Sequence, residues 1–230
     1  MENDSIESTE TTFVQFLFYR LEPTWRRLPA EERVLRSTEL AQFVESSDGI
    51  TTFAYNTTGL KSGTDLMLWR TGTDVSALQE SASLLHRTAL GSYLELSAGY
   101  FGLIRPSTYV RRQTSQEQAA LEQERGTYLV VYPFTKTTEW YLLSKATRQG
   151  MMNEHIKVGH EHPTIKQVLI HSFGLDDQEF IVCYETEDLL EFQTLVMDLR
   201  ATDGRVYTLS DTPIYTAVHR PLREVLALLA

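Results

Sequence analysis

Thr127-Tyr-Leu-Val-Val-Tyr132 is the stretch at which the pattern of this chain starts over. Aromatic and β-branched side chains crowd it, which predicts a buried strand. Downstream the sequence predicts a helix from Ser144 to about Lys157, then strands at Ile165–Ile170 and Glu179–Glu185. The turn sequence Gly174-Leu-Asp-Asp177 joins those two strands. A helix from Asp188 to Arg200 follows, then short strands at Val206-Tyr207 and Ile214–Val218. Pro221–Leu229 reads as a closing amphipathic helix.

Upstream of Thr127 the same order is found. Phe13–Tyr19 reads as a strand, and Pro29 opens a helix with Glu31 and Glu32 in its first turn. Ile50–Tyr55 is a second strand. A turn around Gly59 and Gly63 leads to a third, Asp65–Trp69. Asp74 caps the next helix, and Ala98–Leu103 supplies a fourth strand. Each half therefore reads strand-helix-strand-strand-helix-strand, the split βαβ or ferredoxin-like unit. The expected fold class is α+β: two tandem ferredoxin-like units forming a barrel-type core with helices outside. The expected organisation is a frayed tail over 1–12, an N-terminal unit over 13–110, an exposed connector over 111–126 and a C-terminal unit over 127–230.

Composition narrows the function classes. The 230 residues carry a formal net charge of -10, with 31 Asp and Glu against 21 Lys and Arg. Such a surface repels phosphate backbones, so nucleic acid is not an expected partner. No apolar run reaches the length of a membrane span, and the acidic, Ser/Thr-rich Met1–Thr12 does not read as a secretory signal. A cytoplasmic location is the expectation. Cys183, alone within Phe180-Ile-Val-Cys-Tyr184, reads as core.

Three of the six histidines crowd together, His155, His160 and His162, with Glu154 and Glu161 among them. They admit three readings. One is a polar helix end and loop; another is a non-haem metal site built on His160 and His162. The third makes one histidine an axial ligand to haem iron, with the opposite face open. Spacing alone does not choose among them.

The motifs do. Tyr132-Pro-Phe-Thr-Lys136, Glu139-Trp-Tyr141, Arg148 with Met151-Met-Asn-Glu-His155, and Ser172-Phe-Gly-Leu-Asp-Asp-Gln-Glu-Phe180 stand in order along the second half. Phe18-Tyr-Arg-Leu-Glu-Pro-Thr-Trp-Arg-Arg27 and Gly59-Leu-Lys-Ser-Gly-Thr-Asp-Leu-Met-Leu-Trp-Arg70 add weaker matches in the first. Together they resemble the chlorite dismutase-like superfamily, most closely its coproheme decarboxylase branch. That resemblance implies an iron porphyrin, haem or coproheme, with His155 as the axial iron ligand and His160 in reserve. It also implies Asp203 as the carboxylate orienting His155.

On the distal face the resemblance puts Gln167 where true chlorite dismutases carry an arginine. A neutral amide holds an oxyanion poorly. Tyr132 is implied as the oxidisable phenol, and Lys136, on the same strand face by alternation, as a propionate partner. Arg111 and Arg112 are further candidates for a propionate. The activity implied is oxidative decarboxylation of two coproheme propionates by hydrogen peroxide to give haem b, in a homopentamer. A haem-dependent peroxidase or weak chlorite-degrading enzyme, and a non-catalytic haem carrier or sensor, are the alternatives.

Overall fold

The computed structural model describes residues 11–105, 109 and 124–230. In the first half, β1 (Phe13–Leu21), α1 (Ala30–Glu45), β2 (Ile50–Asn56), β3 (Leu66–Gly72), α2 (Val75–Leu85) and β4 (Leu94–Ile104) follow in order. The second half runs β5 (Tyr128–Lys136), a short α3 (Thr138–Leu142), α4 (Lys145–His160), β6 (Lys166–His171), β7 (Phe180–Thr186) and α5 (Leu189–Arg200). A 3-10 helix (Asp203–Tyr207), β8 (Thr208–Ser210), β9 (Tyr215–His219) and α6 (Leu222–Leu229) complete it.

The strands pair in the order β7-β6-β4-β1-β3-β2-β9-β5, and β5 also pairs with β7, so eight strands close on themselves. Each half contributes four strands in matching order, β4-β1-β3-β2 and β9-β5-β7-β6. The structure is thus the expected α+β barrel of two ferredoxin-like units. Closure leaves the eight barrel strands no free edge. The two seams are short: Leu103 and Ile104 of β4 meet His171 and Ile170 of β6. Tyr55 and Asn56 of β2 meet His219 and Val218 of β9.

Strand alternation sorts the side chains. Phe16, Trp69, Val131, Ile170, Ile181 and Cys183 point inward and fill the barrel as one cluster. At the β4–β6 seam a side chain on Gly102 would lie 2.6 Å from the His171 carbonyl oxygen and 2.7 Å from Ser172 Oγ. The close strand approach therefore requires glycine there.

Some expectations are corrected. Val206-Tyr207 is not a strand: it ends the 3-10 helix, and the strand is Thr208–Ser210. Two apolar residues carry no alternation to fix their periodicity, and Val206 is exposed. The fourth strand starts at Leu94 rather than Ala98, and the helix bearing His155 runs on to His160. Arg125, read as the end of an exposed connector, is buried instead. It lies 3.4 Å from Glu185, with side-chain exposures of 1% and 2%. Its guanidinium stacks over the Phe53 and Trp69 rings. Tyr55 Oη donates to Glu185 Oε1 at 3.2 Å, so this buried pair ties the two halves together.

Candidate active site

The outward face of the second half's sheet is the floor of a cavity of about 480 Å³. Alternation puts Val130, Tyr132, Phe134 and Lys136 of β5 on that face, beside Gln167 of β6 and Tyr184 of β7. The roof is α4, with one wall from α5. Ser144 caps α4, its hydroxyl accepting from the Thr147 N–H. Arg148, Met152, His155, Ile156 and Gly159 follow helical spacing and face inward. Yet α4, 16 residues long, has no residue buried as a whole. Val158 packs against the cluster over the sheet, and the space beneath the inward face of the helix is the cavity.

His155 reaches in from the roof. Burial, aided by the charge of Lys136, lowers its pKa from 6.5 to about 4. The imidazole is therefore neutral at physiological pH, the form that ligates a metal. His160 also borders the cavity. His162 does not: its Nδ1 lies 2.8 Å from Glu191 Oε1 and its Nε2 3.3 Å from Asp198 Oδ2. Those carboxylates, Glu191 foremost, hold its pKa above the usual value. With both ring nitrogens of His162 engaged, the structure lends no support to a non-haem site on His160 and His162. Among the described residues no three His, Cys, Asp or Glu are placed to hold a metal ion.

Asp203 sits next to this helix but does not hydrogen-bond His155 among the described residues. Its backbone N–H donates to Glu154 Oε2 at 3.0 Å, tethering the 3-10 helix to α4. Lys136 crosses the cavity edge, where Nζ donates to the Gly204 carbonyl at 3.1 Å and lies 4.4 Å from the Trp140 ring centroid. Burial and the nearby Arg205 lower its pKa to about 8. Tyr132 is pushed well above its ordinary pKa by burial, then by Tyr184 and Asp211. The Tyr132 and Tyr184 rings lie 6.4 Å apart. Gln167 faces the cavity from the floor, directly across from Tyr184 in the β6–β7 register.

Tyr132, Lys136, His155 and Gln167 thus come together around one space, with Asp203 just outside it. Arg111 and Arg112 lie outside the described residues. Sequence reasoning missed Arg105, Arg200 and Arg205, which line the cavity with Lys136 and Arg148. Among the described residues, these five cations face a single lining carboxylate, Asp211. In a chain of net charge -10 that concentration is a strong local reversal of sign. Arg148 Nε is buried with no hydrogen-bond partner among the described residues, a donor that a ligand can satisfy. Arg200 and Arg205 flank Asp203 in sequence, which is the one clue to them.

Fold and site define a closed α+β barrel protein whose second half holds an apolar cavity ringed by cations. The chain belongs to the chlorite dismutase family, whose pattern it matches over residues 30–220. It is 32% identical over 174 residues to a coproheme decarboxylase of Mycolicibacterium smegmatis, covering 75% of this chain and 74% of that protein. A coproheme decarboxylase of Staphylococcus carnosus is 27% identical over 219 residues, covering 86% and 87%. Among solved structures, the chlorite dismutase of Candidatus Nitrospira defluvii in complex with imidazole superposes with a TM-score of 0.86. It has 30% identity and 95% coverage of both chains.

Proposed function

We propose that this protein is a coproheme decarboxylase, taking coproheme to haem b with hydrogen peroxide. The observation that carries this reading is the cavity's charge: five cations and one carboxylate around an apolar slot suit a flat ring bearing several carboxylates. A neutral imidazole on one wall and a neutral amide on the other suit an iron at its centre. His155 would hold the iron from α4, and Gln167 would face its opposite side. The bound iron porphyrin supplies the oxidising chemistry.

The residues do the rest. Lys136 pairs with a propionate. Tyr132, buried beside it, gives up an electron and its Oη proton, then recovers a hydrogen atom from the propionate chain. Asp203 acts through its link to Glu154, steadying the helix turn that carries His155. For each propionate, one peroxide and one proton are consumed and carbon dioxide and two waters leave, with a vinyl group remaining. Gln167 argues against chlorite as substrate, because no fixed cation comes from that position.

The two units are proposed to span 13–110 and 127–230, in a cytoplasmic homopentamer. Among the described residues no helix is long and apolar enough to cross a membrane. Purified protein incubated with coproheme and peroxide should yield porphyrin masses lower by one, then two, units of carbon dioxide and two hydrogens. Binding of coproheme without any such product would favour a haem carrier.

A further inference from the structure

The cationic corner beside Tyr132 already holds one carboxylate. Arg200 Nη2 and Arg205 Nη1 both donate to Oδ2 of Asp211, at 3.2 and 2.7 Å. Arg200 ends α5, Arg205 lies in the following 3-10 helix, and Asp211 comes directly after β8. All three line the cavity. Asp211 and Arg200 also act on the Tyr132 hydroxyl in opposite directions, the first raising its pKa and the second lowering it. Lys136 stands on the other side, close enough for Arg205 to depress it, while Glu179 offsets part of that effect.

Two guanidiniums therefore share one lining carboxylate close to the phenol read as reactive, while Lys136, beside Arg205, has Glu179 as its nearby carboxylate. Each guanidinium carries five N–H donors, and Asp211 takes one from each. The remaining guanidinium donors, on side chains 46% and 34% exposed at the cavity edge, suit a second carboxylate. Asp211 has the chemistry of that group, and its side chain is 18% exposed on the segment after a three-residue strand.

We propose that Arg200 and Arg205 form a subsite for one ligand carboxylate beside Tyr132, and that Asp211 is its internal competitor. Asp211 neutralises the pair in the empty protein and yields to an incoming propionate, which then lies against Tyr132. It lowers affinity but admits only ligands with a carboxylate at that corner. This rests on the polycarboxylate porphyrin reading above.

The test uses metal-free porphyrins, so no turnover is involved. Fluorescence titration compares coproporphyrin III, with four propionates, and mesoporphyrin IX, with two, on the full chain and its variants. Asp211→Asn should tighten coproporphyrin binding about tenfold, the size of one carboxylate repulsion across roughly 5–6 Å of partly solvated site. The change for mesoporphyrin should be smaller, and 0.5 M salt, on the order of a 4 Å screening length, should shrink the difference. Arg205→Gln reads the same subsite from its other partner and should lower the coproporphyrin preference. If Asp211→Asn weakens coproporphyrin binding, Asp211 merely holds the arginines in place and the competitor idea is overturned. Equal shifts for both porphyrins in either variant also overturn it. A parent protein that binds neither porphyrin overturns the functional reading, and the subsite falls with it. Tight parent binding with an unmoved preference overturns the subsite alone.

Discussion

His155 gives a prediction that needs no porphyrin at all. Its pKa lies at about 4 in the folded protein, against 6.5 for a free histidine. Between those values the unfolded chain binds more protons than the folded one. Stability is therefore complete above pH 6.5 and is lost as pH falls toward 4. At about 1.4 kcal/mol per pH unit, the loss across that window is roughly 3 kcal/mol. Substituting His155→Leu removes the titrating group but keeps an apolar side chain over the cavity. Urea unfolding of the porphyrin-free protein, repeated from pH 7.5 to 4, gives both stability curves. Acid titrates other groups as well, but equally in both proteins, so the difference isolates His155. The parent should lose roughly 3 kcal/mol more than the variant over that range. Parallel curves would refute the claim that the cavity holds this imidazole neutral. They would also remove the reason for expecting iron binding without proton competition between pH 5 and 8.

Three further outcomes follow from other parts of the molecule. Tyr132→Phe should bind coproheme with near-parent affinity yet accumulate no haem b with peroxide, as read by mass; parent-rate product would end the phenol's assigned role. Gln167→Arg should tighten cyanide and fluoride binding to the ferric porphyrin complex, measured by optical titration, because a fixed cation then faces the iron; equal affinities would mean that Gln167 looks elsewhere. Glu185→Gln removes the carboxylate 3.4 Å from the buried Arg125 guanidinium and should cost about 3 kcal/mol in urea unfolding. A loss below about 1 kcal/mol would show that solvent reaches that pair.

Much of this architecture could be read in the sequence because its strands are strongly patterned. The restart at Thr127 revealed two units, and the four-residue spacing of Tyr132 and Lys136 put them on one face, where the cavity has them. What stayed hidden depends on pairing rather than on pattern. Asp211 comes to the cavity because three-residue β8 joins β5 at Thr135 and Lys136, and so short a strand has no period to detect. Arg125 sits in a polar stretch whose composition predicts exposure. Only the barrel's interior, with Glu185 to pair and two aromatic faces to stack on, makes its burial tolerable. Arg200 looks like an ordinary basic helix end.

The same topology occurs twice, yet the helix-roofed cavity lies over the sheet of the second copy, and the last helix bears on the difference. α6 buries Val225, Leu226 and Leu229, and all three join Leu17, Tyr19, Leu40 and Leu68 in the cluster over the first half's sheet. Trp25 Nε1 donates to the Leu229 carbonyl at 2.6 Å, pinning the chain end there. The first sheet is thus covered by α1, α2 and α6. Among the described residues the second sheet is faced by α4, α5 and the short α3, and its buried outer cluster is four residues: Ile165, Val182, Tyr184 and Leu195. A sheet face less fully packed must collapse, take in water or accept an apolar ligand. Here β5 lines the gap with phenol, lysine and apolar side chains, and the surrounding helices add arginines. Collapse would bury that excess of cations, and water would leave the apolar floor exposed. An apolar ring carrying carboxylates, the ligand class proposed for this site, would meet both demands at once.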